Sequence, residues 1–280
     1  MPQGQIVSQQ AVAIVTGASR GLGQALARAL AGKGFRVYGG GRSWSSESPQ
    51  ENFSQLDLDV DDDRSVNEAV GKVLEEEGRV DLLVNNAGVS VAGPVEEVPV
   101  MAARRLFETN YFGVTRMVQA VLPAMRRAGR GTIVNIGSAA GRIGIPFQGH
   151  YAASKFALEG LSEALRMELL PLGIRVLLIE PGDVRTTIWE RRTHFEAKGS
   201  PYLPALQRFL KVKEREMGER ASPPEEVAAQ ILRIIASPTG RLRHPVGRGS
   251  WLALLGRRLL PDRWFFQVVE NNYRIKRSEP

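Results

Sequence analysis

The chain has 280 residues, of which 43% are hydrophobic and 24% are charged, and its formal net charge is +7. These values are typical of a globular protein and allow one large α/β domain spanning residues 1–280. The lack of cysteine excludes disulfides, thiolate catalysis and zinc–thiolate sites, and three scattered histidines do not indicate a metal site. No apolar run reaches the roughly 18 residues of a transmembrane helix. The polar N-terminus also lacks a signal-peptide pattern, so we expect a cytoplasmic protein.

The positive charge is concentrated at the C-terminus. Residues 241–280 carry nine lysines or arginines and three acidic residues, whereas the rest of the chain is nearly neutral. This distribution argues against a broad nucleic-acid-binding surface and indicates a local basic element.

The first apolar stretch, residues 11–15, predicts a strand that is buried on both faces of a parallel sheet. A glycine-rich turn follows, and residues 25–31 predict a helix. Such a strand, turn and helix direct free backbone N–H groups at a phosphate. The turn residues that we expect to bind it are Gly17, Ser19, Arg20, Gly21, Leu22 and Gly23.

The same turn permits a second interpretation. Residues 17–21 match G-x-S-x-G, the nucleophile elbow of serine hydrolases, with Ser19 as the nucleophile. We favour it less because the match follows the first strand and makes no use of Gly23.

The second predicted strand, residues 36–40, is followed by Arg42. In nucleotide-binding α/β folds an acid near this point binds the ribose 2′-hydroxyl, whereas an arginine accommodates a 2′-phosphate. No acid is present between residues 36 and 44, and Arg20 could assist from the glycine turn. The sequence therefore favours NADP(H) over NAD(H).

Further strands and helices alternate along the chain with short links. This alternation predicts a Rossmann-type, doubly wound, seven-stranded parallel sheet with helices on both faces. The other predicted strands are 53–60, 81–85, 131–138, 175–180 and 242–246, and the main helices are 65–77, 101–127, 151–172 and 224–236.

Tyr151 and Lys155 are four residues apart on a predicted helix and therefore share one face. A nearby ammonium favours the phenolate, so we expect Lys155 to lower the pKa of Tyr151 below its ordinary value of about 10. A tyrosine tuned in this way can transfer a proton near neutral pH.

These motifs resemble, in the right order, those of the short-chain dehydrogenase/reductase family over roughly residues 11–246. Residues 16–23 match the family's TGxxxGxG turn, residues 85–88 match NNAG and residues 181–186 match PGxVxT. Four residues match its catalytic tetrad, namely Asn110, Ser138, Tyr151 and Lys155.

The resemblance implies NAD(P) at the carboxyl edge of the sheet and hydride transfer to or from a carbonyl or alcohol carbon, with no metal. Tyr151 would donate the proton, Ser138 would stabilise charge on the substrate oxygen and Asn110 would fix a water that relays protons to Lys155. Lys155 would also hold the nicotinamide ribose. Asp59, or else Asp57, would contact the adenine. The further expected cofactor residues are Asn86, Ala87, Gly88, Pro181, Gly182, Val184 and Thr186.

Two segments extend this pattern. By resemblance, residues 187–221 form a substrate lid, and its apolar content suggests a lipid-, steroid- or retinoid-like substrate. Residues 249–280 predict a basic amphipathic, helical extension that closes the pocket, meets a partner subunit or lies on an anionic membrane. The hydroxysteroid and retinol dehydrogenase branch is the nearest in appearance.

The family resemblance implies a homodimer or homotetramer, with the apolar stripe from Phe107 to Met125 at the interface. A carrier-linked 3-oxoacyl reductase and a non-catalytic NADP(H)-binding protein remain alternative functions.

Overall fold

The computed structural model describes residues 10–44, 52–186, 188–189, 192–238 and 240–275. The polar N-terminus and most of the loop between the second and third strands lie outside these residues.

Seven strands form one fully parallel sheet in the order β3–β2–β1–β4–β6–β7–β9, so the predicted doubly wound sheet is confirmed. The remaining two strands, β5 and β8, pair with each other in a small separate sheet. The strands are β1 (Val12–Thr16), β2 (Arg36–Gly41), β3 (Ser54–Asp57), β4 (Leu82–Asn85), β5 (Val91–Ala92), β6 (Gly131–Ile136), β7 (Ile174–Pro181), β8 (Thr193–His194) and β9 (Arg243–Val246).

Helices cover both faces of this sheet. One buried apolar cluster joins the sheet to α2, α4 and α5, and a second joins its other face to α1 and α7. The helices are α1 (Gly21–Ala31), α2 (Asp63–Glu77), α3 (Val100–Phe107), α4 (Gly113–Ala128), α5 (Gly149–Leu169), α6 (Leu203–Glu219), α7 (Pro224–Ala236), α8 (Ser250–Leu259) and α9 (Asp262–Asn272). Because every crossover returns the chain to the same edge, the carboxyl ends of all seven strands meet there.

The predicted helix 101–127 is interrupted. A π-helical turn, Glu108–Phe112, separates α3 from α4 and contains Asn110. Such turns are uncommon and occur frequently at functional sites. Apolar periodicity does not reveal the turn because the residues on either side keep their helical spacing.

The apolar stripe that we assigned to a subunit interface lies largely inside the chain's own core. Val114, Val118, Val121 and Met125 are at most 4% exposed and pack against the sheet. The prediction about the stripe is therefore wrong, because a helix that covers a sheet needs such a stripe for its own packing.

The C-terminal extension forms α8 and α9, and one side of this helix pair is buried. Leu254 and Phe265 pack against Ile143, whereas Tyr273 joins the cluster around Phe209 of α6. The opposite side carries exposed apolar residues. The exposed residues are Trp251, Leu252, Leu259, Trp264, Phe266 and Val268. Among the described helices, none has the length and apolar character needed to cross a bilayer.

Candidate active site

One cavity of about 500 Å³ opens at the carboxyl edge of the sheet. It runs from Arg42, beyond β2, past the glycine turn to Tyr151 on α5 and Trp189. Every residue that we predicted to bind the cofactor lines this cavity, and so do Ser138, Tyr151 and Lys155 of the predicted tetrad. The fold therefore brings into one site residues that are far apart in the sequence, from Gly17 to Met217.

The glycine turn at the start of α1 requires its glycines. Gly17 has a φ of +66°, and a Cβ there would lie 2.9 Å from the Cα of Ala87. A Cβ on Gly23 would lie only 2.3 Å from the carbonyl oxygen of Gly17. The absence of side chains thus lets the turn approach the neighbouring strand end and keeps a concave surface open toward the cavity.

The N-terminus of α1 points into this part of the cavity. Arg20 occupies the N-cap position in an extended conformation, and its side chain makes no capping hydrogen bond. Backbone N–H groups of a first helical turn carry partial positive charge and bind phosphate. The turn therefore fits the pyrophosphate of a dinucleotide.

A hydrogen-bond network fixes the NNAG turn against β1. The Thr16 hydroxyl accepts from the backbone N–H groups of Asn86 and Ala87 at 3.0 and 2.9 Å. The Asn86 amide donates to the carbonyl of Thr16 at 2.9 Å. The motif therefore has a structural role, holding two strand ends together beside the cavity.

At the far end of the cavity, Arg42 and Asp59 are neighbours. Arg42 Nη1 lies 4.0 Å from Asp59 Oδ2, and both side chains are substantially exposed. We based the NADP(H) prediction on the absence of a carboxylate near β2, but a carboxylate reaches this place from beyond β3. Asp57 does not line the cavity, which favours Asp59 of the two acids considered for adenine contact.

Asp61 also lines this end, although no motif singles it out as a site residue. Its carboxylate accepts from Thr109 at 2.9 Å, and burial raises the pKa of Asp61. The acidic cluster at residues 61–63 is typical of the start of a helix, where carboxylates favour the positive end of the helix dipole. Asp62 does serve as the N-cap of α2, accepting from the backbone N–H of Ser65.

Asn110 lies behind the cavity wall and, unlike the other tetrad residues, does not line the cavity. Its amide group donates to Val89 O and to Ser154 Oγ, both at 3.0 Å, and its Oδ1 accepts from the N–H of Val89 at 2.9 Å. These bonds tie the π-helical turn to α5 and to the strand end beyond β4. A Cβ on Gly88 would lie 3.3 Å from Asn110 Oδ1 and 3.9 Å from Lys155 Nζ, so both groups border this glycine.

Lys155 is 5% exposed, and its Nζ donates to the carbonyl of Ile136 at 2.8 Å. Burial lowers the pKa of Lys155 to about 8. Burial also raises the pKa of Tyr151, while a hydrogen bond with Ser138 acts in the opposite direction. The expectation that Lys155 lowers the pKa of Tyr151 below its ordinary value is therefore not met, since desolvation outweighs the favourable contacts.

The substrate end of the cavity is bounded in part by residues of the segment 187–221, which we predicted to form a substrate lid. Ile145, Ile188, Trp189 and Met217 provide apolar surface. Lys213 and Asp183 add an ion pair, with Lys213 Nζ 2.8 Å from each carboxylate oxygen. No motif predicts this pair, because Asp183 occupies an unspecified position of PGxVxT and Lys213 is thirty residues further along the chain.

The alternative active sites receive no support from this arrangement. None of the three histidines lines the cavity that contains Ser19, so a Ser–His hydrolase site is not assembled there. Within the described residues, no group of three or more potential ligands is placed to hold a metal ion.

The family model for short chain dehydrogenase matches residues 11–197 of this chain. This chain belongs to the short chain dehydrogenase family. It is an oxidoreductase of the kind that acts on CH–OH groups, as the family resemblance implied.

The family's curated members include two informative relatives. The 3-ketodihydrosphingosine reductase of Bacteroides thetaiotaomicron is 40% identical over 244 residues, which cover 85% of this chain and 88% of that protein. Human 17-beta-hydroxysteroid dehydrogenase type 1 is 38% identical over 257 residues, which cover 83% and 76% of the two chains.

Solved family structures share the fold. A short-chain dehydrogenase from Streptomyces avermitilis superimposes with a TM-score of 0.79 at 33% identity, covering 94% of this chain and 96% of the other. A short chain dehydrogenase from Burkholderia cenocepacia in complex with NADP gives a TM-score of 0.73 at 27% identity, covering 95% and 98%.

Proposed function

We propose that this protein is an NADP(H)-dependent oxidoreductase that interconverts a ketone or aldehyde and an alcohol on an apolar, lipid-like substrate. The observation that carries the proposal is the single cavity in which the glycine turn, Tyr151, Lys155 and an apolar end wall meet. The cofactor, when bound along the glycine turn, supplies or accepts the hydride.

Side chains of the protein stabilise the charge that develops on the substrate oxygen and donate the proton to it. As the carbonyl is reduced, negative charge develops on its oxygen, and the Ser138 hydroxyl stabilises that charge by hydrogen bonding. Tyr151 donates the proton to this oxygen. Its raised pKa keeps the phenol protonated near neutral pH, so the proton that reduction requires is present on Tyr151. In the oxidative direction Tyr151 must first lose its proton, so oxidation should become faster as the pH rises.

Lys155 and Asn110 would assist this proton transfer. The ammonium of Lys155 would bind the ribose hydroxyls beside the reacting carbon and return a proton toward Tyr151. Asn110 would hold the water that feeds Lys155, and the second lone pair of its Oδ1 is the acceptor suited to that role. Its hydrogen bonds to Val89 and Ser154 fix this amide in place.

The preference for NADP(H) rests on Arg42. A guanidinium pairs with a phosphate through charge-assisted, bidentate hydrogen bonds. Asp59, 4.0 Å away, would orient Arg42 from one side and contact the adenosine from the other. Structures of family members bound to NADP support this assignment.

The proposal of an apolar substrate class rests on the walls at the substrate end of the cavity and on the relatives. Trp189 and Met217 face the cavity, and Phe209 and Tyr273 back them in one buried cluster. The two relatives above are named for a sphingoid ketone and a hydroxysteroid, which are both large and apolar. A long-chain lipid ketone is the substrate that we favour.

A substrate panel tests this proposal. Purified protein is incubated with NADPH or NADH and long-chain β-keto lipids, steroid ketones, retinal or 3-oxoacyl thioesters, and loss of reduced cofactor is followed by absorbance. We expect turnover of apolar ketones with NADPH. Selective turnover of carrier-linked thioesters would establish the alternative reductase, and binding of NADPH without turnover of any carbonyl would indicate a non-catalytic protein.

We further propose that the extension docks peripherally on an anionic membrane, which would bring a cytoplasmic enzyme to lipid substrates. The exposed side of α8 and α9 combines Trp251 and Trp264, about 60% exposed, with the exposed Arg258 and Arg263. Such a combination is typical of interfacial helices. Exchanging both tryptophans for serine should abolish co-sedimentation with anionic vesicles, whereas Met167→Ser, at an equally exposed site on α5, should not.

We also propose a homodimer or homotetramer, as is usual in the family. The buried stripe on α4 is not available for this contact, but Phe112, Phe156 and Met167 present exposed apolar surface on the π-helical turn and α5. Light scattering at micromolar concentration should give at least a dimer, and Phe156→Asp should dissociate it. A monomeric wild-type protein would contradict this proposal.

A further inference from the structure

The most unusual charged group in the cavity is Lys213, on α6. It is 5% exposed and lies on α6 directly after Val212 and one turn after Phe209, which are both buried. A lysine in apolar surroundings is costly unless it is paired. Burial would lower the pKa of Lys213, but Asp183 and Glu216 raise it above its ordinary value, so this side chain is a buried cation.

Its main partner is Asp183. The Lys213 Nζ lies 2.8 Å from each Asp183 carboxylate oxygen and 3.3 Å from Glu216 Oε2. Asp183 stands between Gly182 and Val184, two of the residues expected to bind the cofactor. The ion pair therefore joins α6 directly to the cofactor-binding loop.

The backbone and the C-terminal extension strengthen this link. The Asp183 carbonyl accepts from the N–H of Ser222 at 2.9 Å, at the end of the segment that contains α6. On the other side, Asn272 of α9 donates to Glu216 Oε1 at 3.1 Å. Lys213 is thus the central member of a network that spans the cofactor loop, α6 and α9.

The pair also lies within electrostatic reach of the proton donor. Lys213, Asp183 and Tyr151 line the same cavity. Asp183 raises the pKa of Tyr151, whereas Lys213 lowers it. While the pair is intact the two charges act on the phenol in opposite directions, and the loss of either one would remove one of these opposing influences.

We propose that Lys213 is a positioning residue for the reaction: by neutralising Asp183 it sets the charge around Tyr151 and fixes α6 over the substrate end of the cavity. This inference rests on the proposed function, since it takes Tyr151 to be the proton donor. It goes beyond the family's motifs, because Asp183 occupies an unspecified position of PGxVxT and Lys213 lies outside every matched motif.

Other titratable groups face the same region and must stay constant in the test. Lys155 stands one turn from Tyr151 on α5, and Ser138 contacts Tyr151 from the strand end after β6. Glu216 and Tyr273 face Lys213 from α6 and α9, and burial raises the pKa of Tyr273 to about 12, so this phenol is neutral near pH 7. None of these groups is altered in the variants below.

The test is the pH dependence of NADP⁺-linked alcohol oxidation in four variants. Lys213→Met leaves Asp183 unpaired, which raises the pKa of Tyr151 and should move the activity profile to higher pH by about one unit. Asp183→Asn leaves Lys213 paired with Glu216 alone and should move the activity profile to lower pH. The double variant Lys213→Met/Asp183→Asn has neither charge, so the midpoint of its pH–activity profile should lie close to that of the wild-type protein. Lys213→Arg keeps the positive charge and should also keep the wild-type midpoint.

This pattern separates an electrostatic role from a merely structural one. Loosening of α6 would change KM and thermal stability in both single variants, but it would not move their pH profiles in opposite directions. Single variants that shift in the same direction, or not at all, would overturn the proposal. If a single variant does not fold, the double variant provides the test. A midpoint of its pH–activity profile far from that of the wild-type protein would contradict the proposal.

A second measurement distinguishes failure of this inference from failure of the proposed function. If wild-type protein turns over no alcohol or carbonyl, the proposed function fails. The Tyr151 phenol can then be titrated by ultraviolet absorbance in each variant, as the difference from the same protein carrying Tyr151→Phe. Opposite displacements of this titration would still support the charge balance, and identical titrations would refute it.

Discussion

The two ends of the cavity are built in different ways. The cofactor end is formed by turns that directly follow β1, β4 and β7, so backbone geometry and small residues shape it. The substrate end is formed by α6, α9 and the segment around Trp189, whose side chains pack on one another far from the central sheet. A site of this kind can keep one cofactor chemistry while its substrate end diverges, because the two ends share few residues.

Tyr151 stands where the two ends meet, and replacing it should give the largest effect. Tyr151→Phe preserves the shape of the side chain but removes the proton, so turnover should fall by roughly 10²–10⁴-fold. Binding of NADPH, measured by fluorescence titration, should be unchanged. Tyr111→Phe, a tyrosine outside the cavity, is the control. Activity of Tyr151→Phe within a few-fold of wild type would exclude the assigned role.

A change in the glycine turn should affect the cofactor end alone. In Gly23→Ala the new Cβ would meet the carbonyl oxygen of Gly17 at 2.3 Å, and the turn would have to move. Overpacking of this kind costs about 1–3 kcal/mol, which corresponds to roughly ten- to hundredfold weaker NADPH binding.

Gly71 on α2 supplies the matched control, because no atom lies within 4 Å of a Cβ added there. Gly71→Ala should leave NADPH binding unchanged and stabilise the protein by about 1 kcal/mol in denaturant unfolding, through helix propensity. If both variants bind NADPH like wild type, the turn does not hold the cofactor as described.

Arg42 should distinguish the two cofactors. Its replacement by alanine should lower kcat/KM for NADPH by roughly tenfold, since an exposed charge-assisted contact contributes modestly. The value for NADH should change little. Arg64→Ala, at an exposed arginine on α2, controls for the loss of surface charge. An equal loss with both cofactors would assign Arg42 a structural role instead.

The smallest predicted change belongs to the substrate end. Phe209 is fully buried and contacts Phe147, Trp189 and Tyr273, so Phe209→Ala should loosen that wall and raise KM for apolar substrates by roughly three- to tenfold. NADPH affinity should stay the same. Trp251→Ala, at an exposed position on the extension, should change neither constant. A parallel loss of NADPH binding in Phe209→Ala would show that the two ends are not independent.

The same contrast explains what the sequence could predict. Strand periodicity and the turn glycines follow from local rules, and the parallel sheet then brings Gly17, Asn86 and Tyr151 to one edge. The π-helical turn at Asn110 could not be foreseen, because its flanking residues keep helical spacing. The Lys213–Asp183 pair and the packing of Tyr273 on Phe209 depend on how distant segments fold back, which no local pattern encodes. The stripe on α4 was assigned wrongly because apolar periodicity does not say which surface a helix will cover.

The central claim is that the cavity transfers hydride between NADPH and a carbonyl carbon of an apolar substrate. It is tested most directly by supplying NADPH that carries deuterium at the transferable position, together with a long-chain ketone, and measuring the product by mass spectrometry. The account predicts an alcohol that carries the deuterium on its carbinol carbon, formed by wild-type protein and nearly absent with Tyr151→Phe. Unlabelled alcohol, or labelled alcohol formed equally well by Tyr151→Phe, would contradict it.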